Sequence, residues 1–74
     1  MATKTKTFVV TADDRENTSG HYGAAHDFSR RAVRFEIRVS DPRQAWKRAR
    51  LLCRRRYPDK IVRAVNTREN APAL

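Results

Sequence analysis

One short segment of the chain alternates apolar and charged side chains with a period of two. Within Ala32–Ser40, every second residue is apolar and large: Val33, Phe35, Ile37 and Val39. The residues between them are charged: Arg34, Glu36 and Arg38. This period predicts a β-strand with one buried face and one wet face. The apolar face of this strand needs a second layer to cover it.

Helix signals follow this strand directly. Ser40 and Asp41 are N-cap residues, and Pro42 suits a first helical turn because its missing N–H would have no partner there. The spacing predicts a helix from Pro42 to Tyr57, which ends before Pro58. Its apolar arc, expected to face the sheet, consists of Ala45, Trp46, Ala49, Leu52 and Cys53. We therefore predict that Trp46 and Cys53 pack in the core.

Two further segments have β character, Lys4–Ala12 and Lys60–Asn66. The sequence thus predicts an α+β fold: a small β-β-α-β domain over residues 1–66, whose three-stranded sheet carries one amphipathic helix on one face. Residues 13–29 form a long connection, and residues 67–74 form a flexible C-terminal tail.

Two registers are possible for the last strand, and each of them places apolar or charged side chains in an unfavourable environment. If Val62 and Ala64 face inward, Ile61 and Val65 lie outward and, with Val9, make an apolar patch on the open sheet face. A homodimer could cover that patch. If Ile61 and Val65 face inward, Arg63 must be buried or extend its charged end from an edge. Self-association also suits a chain of 74 residues, in which a single core stabilises the fold only modestly.

The compartment is inferred from the cysteine and from the N-terminus. Cys53 is the single cysteine, so no disulfide can form within the chain. We see neither a signal peptide nor a membrane span. These features predict a cytoplasmic protein without a membrane partner.

The positive charge lies in one part of the chain. The formal net charge is +9, yet residues 30–63 hold thirteen basic and three acidic residues, a local net charge of +10. The predicted helix carries seven cations and no acid after Pro42. Solvated helices usually pair their charges at i,i+4 spacing, so this pattern favours a polyanionic partner over a merely solvated face.

Phosphate is the natural counterpart of such a helix. We therefore expect a small nucleic-acid-binding protein, with DNA a better candidate than RNA, that acts mainly through backbone contacts. The candidate binding residues are Arg43, Lys47, Arg48, Arg50, Arg54 and Arg55. A secondary basic surface consists of Arg34, Arg38 and Arg63. The sheet arginines lie opposite the helix, so the helix, the sheet or a dimer that combines both faces could be the site; we favour the helix.

Other functions have weaker support in the sequence. The rival hypothesis is a protein-interaction or regulatory module that docks on an acidic partner, with or without homodimerisation. His21 and His26 lie near Asp27, but their spacing matches no metal module and no nucleophile accompanies them. We therefore expect no enzymatic activity, no metal and no cofactor.

Overall fold

The computed structural model describes residues 4–16 and 28–71. In chain order it contains β1 (Lys6–Asp14), β2 (Val33–Val39), a 3-10 turn (Pro42–Gln44), α1 (Ala45–Arg56), β3 (Lys60–Thr67) and a second 3-10 turn (Arg68–Asn70). Within the described ranges, the strands form one antiparallel sheet in the order β2-β1-β3. The prediction of a small α+β domain with a three-stranded sheet and one helix is confirmed.

β1 is the central strand, and it is buried on both faces. Val10 and Ala12 belong to the core cluster that α1 shares. Thr11 and Asp13, whose side chains point the other way along an extended strand, are fully buried as well. Asp13 accepts hydrogen bonds from the backbone N–H and the hydroxyl of Ser29. The polypeptide that leads into β2 is therefore tied to the central strand.

α1 contacts the sheet through a stripe of small side chains. Ala45, Ala49 and Cys53 are buried at four-residue spacing, and the large members of the same cluster, such as Phe35 and Ile37, come from the sheet. Small residues on the helix allow a close approach to the sheet. The apolar arc predicted from the sequence is correct for these three residues and for Leu52, which is half-buried against the core. It is wrong for Trp46, whose exposed fraction is 37%.

The ends of α1 follow the local signals. Asp41 Oδ1 accepts from the backbone N–H of Arg43 at 3.0 Å, and Pro42 begins the 3-10 turn that leads into the helix. At the other end, the backbone N–H of Tyr57 donates to the carbonyl of Cys53, and that of Lys60 donates to the carbonyl of Tyr57. Pro58 and Asp59 occupy the turn between these two bonds. β3 can therefore begin immediately after the helix.

A β-bulge settles the register of β3 in a way that neither predicted alternative anticipated. Thr11 pairs with Ala64 and Ala12 pairs with Val62, so Arg63 lies opposite no residue of β1. The extra residue reverses the alternation, and Val62 and Val65 both pack on the helix side.

The apolar patch expected on the open sheet face is accordingly not formed. Of its three predicted members, Val65 faces α1, Val9 is buried, and Ile61 is half-buried. A homodimer stays a prediction, without this patch as its argument.

An ion pair links the 3-10 turn after β3 to β2. Arg68, in the 3-10 turn after β3, forms two hydrogen bonds with the carboxylate of Glu36, at 2.8 and 3.0 Å. Residues 72–74 lie outside the described ranges. No helical segment that the structure describes has both the length and the apolar character needed to cross a membrane.

Candidate nucleic-acid interface

The outward surface of α1 is basic, and no ion pair with an acidic side chain of the described residues compensates it. Five cations, here called the outward cations, are exposed on it: Lys47, Arg48, Arg50, Arg54 and Arg55. Residues seven apart lie two turns along the same side of a helix, so Lys47 with Arg54 and Arg48 with Arg55 form two rows, each about 10 Å long. No ion pair within residues 4–16 and 28–71 involves any of the five.

The carboxylates that form ion pairs in this part of the chain are paired elsewhere. Asp14 binds Lys60 and Arg31, and Glu36 binds Arg68. The hydrogen bonds from Arg68 lower the pKa of Glu36 and raise that of Arg68. The positive charge of α1 is therefore left to solvent or to a ligand.

Arg43 differs from the other predicted binding residues. It precedes α1, in the 3-10 turn, and its guanidinium contacts both oxygens of Asp41, at 3.2 and 3.3 Å. Because this carboxylate already compensates its charge, Arg43 offers less to a phosphate than the outward cations do.

A cleft on the β2 side joins the helix to a sheet arginine. It encloses about 330 Å³ and is lined by Lys47, Arg48 and Leu51 from α1 and by Arg38 from β2, among others. β2 is an edge strand, so a side chain near its end can reach around the edge of the sheet. Arg38, expected on the side opposite the helix, thus contributes to the same basic surface. Leu51, 46% exposed, lies within this cleft as an apolar contact.

The secondary basic surface is only partly present. Arg34 is exposed on the sheet face away from α1. Arg63, predicted to belong with Arg34 and Arg38, is only 6% exposed, so that assignment is wrong. Its guanidinium donates to the backbone carbonyls of Asp14 and Arg15, at 3.4 and 3.3 Å. The bulge directs Arg63 to these carbonyls, and the residue is structural.

A second basic cleft lies on the β3 side of α1. Arg50 and Arg54 line it together with Arg15, which follows β1, and with Lys60, which begins β3. Arg15 and Lys60 were not among the predicted binding residues, because only the strand order brings the end of β1 beside the start of β3. The ammonium of Lys60 is held by Asp14 at 2.9 Å, which leaves Arg15 as the added free cation of this cleft in the described part of the chain.

Two contacts between cations and aromatic rings mark the borders of the basic surface. The Arg50 guanidinium lies 5.4 Å from the centroid of Trp46, and that of Arg56 lies 5.7 Å from the centroid of Phe35. Arg56 therefore covers the core, whereas Arg50 remains at the surface beside an exposed indole. The i,i+4 spacing of Trp46 and Arg50 was the available sequence signal for this second pair.

The single cysteine has no exposed reactive group. Cys53 is buried, and its thiol donates weakly to the carbonyls of Lys60 and Tyr57, at 3.6 and 3.9 Å. Burial, together with the negative charge of Asp59, raises the pKa of this thiol. The protonated form is favoured, so Cys53 joins the helix end to β3 rather than serving as a nucleophile.

The histidine segment cannot be compared with its prediction. His21, His26 and Asp27 lie outside the described residues. In residues 4–16 and 28–71 there is no group of three or more His, Cys, Asp or Glu side chains that could hold a metal ion.

Comparison of the chain with protein-family models, curated proteins and solved structures finds no match.

Proposed function

We propose that this protein binds nucleic acid, DNA in the first place, through the outward cations of α1, and that phosphate contacts provide most of the binding energy. The observation that carries the proposal is the absence of an ion-pair partner for any of these five cations in the described part of the chain. A phosphate backbone supplies the missing negative charge, and binding releases its condensed counterions.

The geometry supports a binding surface more than simple solvation. Two rows of cations run along α1, and clefts at both flanks add Arg38 and Arg15. Arginine dominates this set, and its planar guanidinium can bind two phosphate oxygens at once. The proposal assigns no catalytic activity and no cofactor. A lone reduced cysteine supports the cytoplasm as the compartment.

The proposal is tested by comparing two double variants of equal charge. Arg54→Gln with Arg55→Gln removes two outward cations, and Arg34→Gln with Arg68→Gln removes two cations away from the outward surface of α1. Fluorescence anisotropy with a labelled 20-base-pair duplex, the matching single strand and the matching RNA measures affinity. We expect the helix variant to lose affinity for all three and the opposite-face variant to retain it. Equal losses would refute the helix as the site.

The rival hypothesis, an acidic protein partner, makes a different prediction. In that case nucleic acid binds weakly, and poly-glutamate of the same length displaces it at comparable concentration. We expect poly-glutamate to compete poorly, because a duplex carries one negative charge per about 1.7 Å of its axis, whereas an extended peptide carries one carboxylate per about 3.3–3.6 Å. Efficient competition would favour the rival.

A further inference from the structure

An exposed aromatic ring lines a hollow next to the basic cleft on the β3 side of α1. A hollow of about 560 Å³ is lined by Trp46 and Arg50 from α1 and by Ile61 and Val62 from β3. Trp46 is the only tryptophan of the chain. It is also one of two large hydrophobic residues that the structure leaves exposed in the described ranges; the other is Leu51. A hollow with an aromatic and two aliphatic walls suits a flat apolar group.

The charges around this hollow distinguish it from a general apolar docking site. Arg50 borders both the hollow and the adjoining basic cleft, where Arg54 and Arg15 also lie. None of Arg15, Arg50 and Arg54 has an ion-pair partner within the described part of the chain. This hollow, called the slot below, can hold the flat base of a nucleotide. The three cations beside it, which have no ion-pair partner among the described residues, can bind the phosphate.

β3 adds hydrogen-bonding groups beside the slot. It pairs with β1 on one side only, so the backbone N–H and C=O groups of its outer edge have no partner strand among the described residues. Such groups can bind the edges of a base that is not paired with another base. In a duplex the pairing edges of the bases are not accessible to these groups, because the bases are already stacked and paired.

We infer that this slot binds an unpaired base of a single strand, which stacks on the face of Trp46 that the Arg50 guanidinium does not cover, while Arg50 and Arg54 contact the adjoining phosphates. The inference rests on the proposed function and deepens it, because it names single-stranded nucleic acid as the ligand class. Base stacking on aromatic side chains tolerates different sequences, so the slot provides preference for single strands without sequence specificity.

The sole tryptophan makes the contact directly measurable. A base stacked on the indole quenches its fluorescence, whereas a phosphate chain without bases does not. We expect a 12-nucleotide oligo(dT) to quench the emission of Trp46 with saturation, and inorganic polyphosphate of equal charge to bind without comparable quenching. Equal responses to both ligands would overturn the inference.

Substitutions separate stacking from charge. Trp46→Leu keeps an apolar side chain without an aromatic ring, and we expect it to weaken oligo(dT) binding by about 5- to 150-fold in anisotropy. Trp46→Phe should restore most of the affinity. Asn70→Ala, at an exposed position in the 3-10 turn after β3 and away from both clefts, is the control and should bind as the wild type does.

The two levels of the proposal fail in different ways. If Trp46→Leu binds oligo(dT) with wild-type affinity and the duplex binds as tightly as the single strand, the stacking inference is wrong while the proposed function stands. If the wild type binds none of these nucleic acids at low salt, the proposed function itself is wrong. Circular dichroism of each variant confirms that it has the wild-type fold before binding is compared.

Discussion

The ion pair between Asp14 and Lys60 ties the end of β1 to the start of β3. The Lys60 ammonium lies 2.9 Å from Asp14 Oδ1, and the two side chains are 9% and 24% exposed. At an effective dielectric constant of about 20, the Coulomb attraction at this distance is about 6 kcal/mol, most of which desolvation offsets. Exposed pairs contribute about 0–1 kcal/mol, and loss of one partner from a fully buried pair costs about 3–5 kcal/mol.

We therefore expect a coupling energy of about 2 kcal/mol from a double-mutant cycle with Asp14→Asn and Lys60→Met. Urea denaturation of the wild type, both single variants and the double variant provides the four free energies of unfolding. A domain of this size is stabilised by only about 3–5 kcal/mol from its core, so Asp14→Asn should lower the urea midpoint visibly. The same cycle on the exposed pair Glu36 and Arg68 should give a smaller coupling. A coupling below about 0.5 kcal/mol for Asp14 and Lys60 would show that burial does not strengthen this pair.

Two further predictions concern the contact between α1 and the sheet. Because the pKa of Cys53 is raised, the folded state holds its proton to higher pH than the unfolded state does. This contribution to stability is complete below the ordinary thiol pKa of about 8.5 and falls as the pH rises through the folded pKa, by at most about 1.4 kcal/mol per pH unit. Urea denaturation from pH 7 to 10 should show the fall in the wild type and less of it in Cys53→Ala; parallel profiles would refute the assignment. Ala49 is fully buried in the small-residue stripe, so Ala49→Leu should cost about 1–3 kcal/mol of stability by overpacking. Gln44→Leu, at an exposed position, is its control, and equal thermal midpoints would contradict close packing at Ala49.

Local patterns predicted the elements best where one face of a segment is buried and the other is wet. β2 meets that condition, and its alternation identified its faces and placed its bounds to within one residue at each end. β1 does not, because the central strand is buried on both sides and even Asp13 has no exposed surface. Its charge gave no sign of burial, since the hydrogen bonds from Ser29 depend on a contact between residues far apart in sequence.

The errors at Trp46 and Arg63 have a common physical origin in tertiary structure. A helical wheel shows which side chains share a face, but it does not show where the sheet beneath that face ends. Trp46 lies beyond this limit, next to the edge strand β3. The bulge at Arg63 likewise depends on the pairing of β3 with β1 and on the carbonyls of Asp14 and Arg15. The outward cations needed no such information, because their exposure follows from the apolar stripe on the opposite side of the same helix.

The salt dependence of binding tests the central claim, that outward cations of α1 bind phosphate, most directly. Each phosphate contact contributes about 0.9 to the slope of log K against log salt on a B-form duplex and about 0.7 on a single strand. Removal of Arg54 and Arg55 should therefore reduce the slope by about 1.8 on the duplex and about 1.4 on the single strand. The charge-matched removal of Arg34 and Arg68 should leave the slope unchanged. Equal slopes for the wild type and both variants, or a wild-type slope near zero, would contradict the claim.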